Sequence, residues 1–163
     1  MIVVLMGVCG CGKTRVGEAL AAELGWRFFD ADDFHPPANV AKMAAGQPLD
    51  DADRWPWLDR IASEMGALDA RGESAVLACS ALKARYRDRL RVAGDVRFVH
   101  LEGDRATIAE RIGGRAHRYM PASLLDSQFE ALEVPTDAIP VNIRLPVADE
   151  VALIRSALAQ AAP

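Results

Sequence analysis

Short runs of consecutive apolar residues alternate along the chain with longer stretches in which apolar residues return every three or four positions. Ile2–Met6 is apolar throughout, as a strand buried on both faces requires. Val16, Ala19, Leu20 and Leu24 then mark one face of a helix over Lys13–Leu24, and Gly25 stops it. A short strand over residues 27–29 follows, and the polar, proline-rich stretch 30–37 reads as a loop. Leu58, Ile61, Met65 and Leu68 recur at helical spacing beyond Asp51, Asp53 and Pro56, which predicts a long helix ending near Gly72.

The alternation continues to the end of the chain. Strands are expected over 74–79 and 96–101, with helices over 82–92 and 105–112. Gly113-Gly114 breaks the pattern, and a basic segment, 115–120, precedes a helix over 122–132. A last strand over 139–143 contains Pro140, which suits an edge or strand-start position, and a helix over 148–159 closes the series. Strand alternating with helix, with no repeat or low-complexity linker, predicts one α/β domain built on a mostly parallel five-stranded sheet flanked by helices.

Composition narrows the classes. Apolar types make up 51% of the 163 residues, enough for one core, which excludes a disordered or fibrous chain. The 19 basic and 23 acidic residues are mixed along the sequence and leave a net charge of -4, so the broad positive footprint of a nucleic-acid binder is missing. No apolar run approaches the roughly 18 residues of a membrane span, and the run at 2–8 has no basic flank or cleavage site. A soluble, cytoplasmic protein is expected. The three cysteines, at 9, 11 and 79, form neither a C-x-x-C pair nor a zinc framework, in keeping with a reducing compartment.

The chemistry begins at Gly7-Val8-Cys9-Gly10-Cys11-Gly12-Lys13-Thr14, which satisfies G-x-x-x-x-G-K-[ST] between the first strand and the first helix. A chain of this composition would show that pattern by accident about once in a thousand. Its glycines let successive N–H groups turn inward at a helix N-terminus, forming a concave site for phosphate. Lys13 would reach the β and γ phosphates and the Thr14 hydroxyl would ligate Mg²⁺, with ATP the expected nucleotide. Cys9 and Cys11 have two readings: reactive thiolates favoured by the positive loop, or small filler residues turned away from it.

After the second strand, Asp30 and Asp32 alternate, so both carboxylates can face one crevice at the carboxyl ends of the strands. They suit two tasks, orienting or deprotonating an acceptor hydroxyl and supporting a metal ion. An acidic turn in solvent is the other reading. The strand near Cys79 ends without an acidic residue, which favours a metal role for Asp30.

Beyond these residues, Asp30-x-Asp32-x-x-His35-Pro36, Asn39-x-x-Lys42-Met43-x-x-Gly46-x-Pro48-Leu49-x-Asp51-x-Asp53-Arg54-x-Pro56-Trp57-Leu58 resembles the signature of the gluconokinases. Cys79-Ser80-Ala81-Leu82-Lys83-x-x-Tyr86-Arg87-Asp88-x-Leu90-Arg91 and Leu124-Leu125-x-Ser127-Gln128-Phe129-x-x-Leu132-Glu133-x-Pro135 are similar to that family too. The resemblance covers nearly everything from Ile2 to Pro135. It implies an adenylate-kinase-like P-loop fold and transfer of the ATP γ-phosphate to the 6-hydroxyl of D-gluconate. It also implies roles: Asp32 as base or hydroxyl-orienting group, Asp30 near Mg²⁺, Arg54 on the substrate carboxylate, and His35, Ser80, Lys83, Arg87 and Gln128 on the polyol hydroxyls. Arg111 would stack on adenine and Arg115 would meet phosphate, in a lid over about 113–121.

Plainer readings stand beside these. His35 suits a helix entry or a structural hydrogen bond, Lys83 and Arg87 a solvated helix face, Lys42 a structural role, and Trp55 and Trp57 packing near the substrate pocket, with Trp57 the core member of the two. A kinase for another small carboxylate or nucleotide, or a regulator that binds nucleotide without turnover, are the alternative functions. A homodimer is left open.

Overall fold

The computed structural model describes residues 1–92, 94–113 and 125–160. In chain order the elements are β1 (Ile2–Met6), α1 (Lys13–Leu24), β2 (Arg27–Asp30), a 3-10 turn (Ala31–Phe34), α2 (Pro37–Ala44), α3 (Asp51–Ala70), β3 (Ala75–Ala78), α4 (Ala84–Leu90), β4 (Val96–Glu102), α5 (Arg105–Gly113), α6 (Leu125–Ala131), β5 (Ile139–Asn142) and α7 (Val147–Gln160). The five strands form one parallel sheet in the order β2-β3-β1-β4-β5, which bears out the expected α/β architecture.

β1 is central, with Ile2 opposite Ala75 on one side and Val96 on the other. All five of its residues are buried, which is why this strand reads as an unbroken apolar run. The pleat divides them between two cores. Val3 and Leu5 pack with Val16, Leu20, Ile154 and Leu158 of α1 and α7. Ile2, Val4 and Met6 pack with Trp57, Leu58, Ile61 and Tyr86 of α3 and α4. α1 lies close against the sheet at Gly17, where an added Cβ would come within 2.5 Å of the Phe28 ring. Pro140 sits opposite His100 in β5, an edge strand, where a missing ladder donor is tolerated.

One departure from the sequence pattern and one helix start matter for the site. The stretch 30–37 is not a plain loop: it holds the 3-10 turn and the start of α2, with Pro37 in the first helical turn, where its missing N–H costs nothing. The long helix α3 starts at Asp51, where Asp50 and Asp53 form a capping box in which each carboxylate accepts the other's backbone N–H. That places Arg54 on a helix. Among the described residues no helix is long and apolar enough to cross a membrane.

Candidate active site

The turn after β1 carries the phosphate motif. Gly7, Gly10 and Gly12 have φ of 141°, 83° and 104°, a region that side-chain-bearing residues rarely adopt. A Cβ at Gly10 would also approach within 2.7 Å of Ile112, so glycine there satisfies both conformation and packing. Gly12 ends the turn as the cap of α1, which aims the helix N-terminus at the loop. Lys13 folds back over it, its Nζ donating to the carbonyl oxygens of Gly7 and Val8 at 3.0 Å each. The Cys9 N–H donates to Gln128 Oε1 at 2.7 Å, which ties α6 to the same loop.

Asp30, at the end of β2, joins the two halves of the site. Its Oδ2 accepts the Thr14 hydroxyl at 3.0 Å and its Oδ1 accepts the backbone N–H of Asp32 at 3.0 Å. Thr14 and Asp30 are thus adjacent oxygen donors beside the phosphate loop, a set that suits a Mg²⁺ ion completing its shell with phosphate oxygens. Among the described residues no group of three or more His, Cys, Asp or Glu could hold a metal ion alone. The exposed Asp32 carboxylate lies 3.7 Å from His35 Nε2, while the His35 side chain is buried and stacks on Trp57 with ring centroids 4.4 Å apart. Burial, helped by the charge of Arg54, lowers the His35 pKa to about 4, so the ring is neutral at pH 7.

Arg54, from α3, donates to the Tyr86 hydroxyl at 3.2 Å. Tyr86 in turn donates to Asp51, which also accepts from Lys83 at 3.2 Å and from Arg85. The Tyr86 hydrogen bond, followed by that from Lys83, holds the Asp51 carboxyl below its ordinary range. One carboxylate therefore anchors Lys83 directly and Arg54 through Tyr86. Ser80 reaches the same place from β3 through a turn at Ala81, whose φ is 40°.

These groups meet in a cavity of about 510 Å³ at the carboxyl ends of the strands. Its wall includes Lys13, Thr14, Asp30, Asp32, His35 and Arg54, and it also takes in Ser80, Lys83 and Gln128. Trp57, expected as a core packing residue near the pocket, is buried, donates from Nε1 to the Ala31 carbonyl and lines the cavity. Lys42 is structural, ion-paired to Asp53 at 2.5 Å.

Three expectations need correction or fall outside the described residues. Arg87 is neither on the cavity wall nor on a solvated face. It is buried, and its guanidinium donates to the Ala81 and Leu82 carbonyls at 3.1 and 3.0 Å, bracing the turn that carries Ser80. Cys11 is buried, and burial raises the Cys9 pKa despite the nearby Lys13, which goes against a reactive thiolate at Cys9. Arg115 and residues 114–121 of the expected lid lie outside the described residues. Arg111 is described, and its guanidinium lies 3.9 Å from the position of a Cβ on Gly12 while donating to the Ile143 carbonyl at 2.5 Å. Pattern reading gave no role to Asn39, Asp51 or Tyr86, although all three fall inside the resembling motifs.

The shikimate kinase family model matches residues 9–134 of the chain. A gluconokinase of Gluconobacter oxydans is 50% identical over 141 residues, covering 85% of this chain and 78% of that protein. The thermosensitive gluconokinase of Escherichia coli is 43% identical, over 97% of this chain and 85% of its own. The crystal structure of a gluconokinase from Sinorhizobium meliloti superposes with a TM-score of 0.87 at 42% identity, covering 97% of this chain and 91% of that one.

Proposed function

The chain belongs to the gluconokinase family, and from that membership we propose that it transfers the γ-phosphate of ATP to the 6-hydroxyl of D-gluconate. The observation that carries this reading is the pairing, in one cavity, of a phosphate loop with Lys13 and Thr14 and an acceptor wall with Asp32 and Arg54. The inward N–H groups of the loop hold the phosphates of ATP. Lys13 exchanges its two carbonyl contacts for the transferring phosphoryl group, whose charge it offsets as the bond to ADP weakens. Thr14 and Asp30 would hold Mg²⁺, which would supply positive charge against that of the phosphates.

At the other wall, Arg54 meets the gluconate carboxylate, a planar anion that its guanidinium fork matches. Ser80, Lys83 and Gln128 offer donors and acceptors to the hydroxyls between the two ends. Asp32 accepts the proton of the 6-hydroxyl as that oxygen bonds to the γ-phosphorus, and the bond from phosphorus to the β–γ bridging oxygen breaks, its electron pair leaving with ADP. Arg111, against the loop at Gly12, is suited to border the adenine. The reaction draws on ATP, so the cytoplasm is the proposed compartment.

The regiochemistry tests the assignment. Phosphorus–proton correlation NMR of the product should couple the new phosphoester to the C6 methylene. A phosphoester on another carbon, or release of inorganic phosphate alone, would contradict it.

A further inference from the structure

Asp32 is exposed in an open cavity, and a carboxylate that must meet one particular hydroxyl needs its orientation set by something rigid. His35 is a rigid group beside it, 3.7 Å away. Its ring is fixed by the stack on Trp57, at an interplanar angle of 13°, and Trp57 is itself fixed by its 2.7 Å bond to the Ala31 carbonyl. Asn39, almost wholly buried, sets the proton on that ring. Its side-chain nitrogen donates one hydrogen to the Asp53 carbonyl at 2.8 Å and faces His35 Nδ1 at 3.4 Å with the other. An amide hydrogen aimed at Nδ1 makes that atom the acceptor, so the proton of the neutral ring resides on Nε2. Nε2 is the atom that faces Asp32.

We propose that His35 is a positioning residue, in which Asn39 fixes the Nε2–H tautomer and that N–H holds the Asp32 carboxylate toward the acceptor hydroxyl. The 3.7 Å separation is longer than a hydrogen bond and closes when the cavity is filled, as catalytic contacts commonly do on substrate binding. Burial and the neighbouring Arg54 keep the ring neutral, which preserves Nδ1 as an acceptor. Lys42 and the capping box, by fixing Asp53, hold the carbonyl that anchors Asn39. This inference rests on the reading of Asp32 as the base. It differs from the substrate contact that the family resemblance implies for His35.

Two measurements decide it. His35→Phe keeps a ring on Trp57 and removes both nitrogens. Its kcat should fall about 10-fold or more while KM for gluconate and for ATP stay within about 2-fold. A rise in gluconate KM with kcat held, or an unchanged kcat, would overturn the proposal. The second measurement needs no kinetic variant: nitrogen NMR of the ¹⁵N-histidine-labelled enzyme at pH 7, with the His35 signals identified by their loss in His35→Gln. A protonated Nε2 with bare Nδ1 is expected, and an Nδ1–H tautomer or an imidazolium would overturn the proposal even if His35→Phe did not fold. Asp32→Asn, measured alongside, separates the two ideas: retained kcat there defeats the base assignment, whereas its loss with a silent His35→Phe defeats only the positioning role.

Discussion

At the scale of single residues, the acceptor wall divides into a group that moves a proton and a group that holds a charge. Asp32→Asn keeps the side-chain shape and removes the proton acceptor, so kcat should fall by about 10² or more with ATP affinity little changed. A drop in ATP affinity with kcat intact, read by nucleotide titration and steady-state kinetics, would make Asp32 a metal or structural residue instead. Arg54→Lys keeps the charge and loses the fork, so KM for gluconate should rise while KM for ATP holds. Tyr86→Phe should move the same constant in the same direction but less, because Arg54 keeps its charge and loses only the hydroxyl that orients it. What pattern could show at this scale was residue type and spacing: the phosphate loop and the Asp30 and Asp32 alternation, whereas Arg54 came only with the family resemblance. It could not show direction. Arg87 lies on a helix with polar neighbours, and only the tertiary contact with the Ala81 and Leu82 carbonyls reveals that it points inward.

Elements follow from how strongly local signals agree. The apolar spacing and Gly25 set α1 at Lys13–Leu24 without help from the rest of the fold, and the apolar run set β1. α2 was hidden because Pro36 and Pro37 are turn formers in most contexts, while a proline in the first helical turn is also a good helix start. The start of α3 at Asp51 rests on the reciprocal bonds between Asp50 and Asp53, of which the sequence shows only the acidic residues. The contact of α1 with the sheet gives a test at this scale. Gly17→Ala adds helix propensity worth about 1 kcal/mol, yet its Cβ would meet Phe28 at 2.5 Å and Leu5 at 3.0 Å. We expect net destabilisation of about 1–3 kcal/mol from overpacking, read from urea unfolding. A stabilised variant would mean that α1 can lift from β1 and β2 at little cost. Because α1 begins at the phosphate loop, such a lift would also loosen the site.

For the whole molecule, the buried carboxyl of Glu150 in α7 ties stability to pH. Burial raises its pKa to about 6, only partly offset by Arg111 and Arg15. Between its ordinary value of 4.5 and about 6 the unfolded chain gives up a proton that the folded chain keeps, so this group's contribution to stability falls as pH rises through that range. His35 acts in the opposite sense. Its folded pKa of about 4 lies below the ordinary 6.5, so its contribution is present above 6.5 and is lost as pH falls toward 4. Glu150→Gln should therefore raise the urea midpoint at pH 7 and give no gain below pH 4.5, a dependence that a simple packing change would not show. The central claim concerns function, and the most direct measurement is ATP-dependent ADP release with D-gluconate, shikimate, nucleoside monophosphates and no acceptor, at equal enzyme concentration. The account predicts a kcat/KM for D-gluconate at least about 10²-fold above every other acceptor, with little release when none is present. Equal rates across the acceptors, preference for shikimate or a nucleotide, or binding of ATP with no turnover would contradict it.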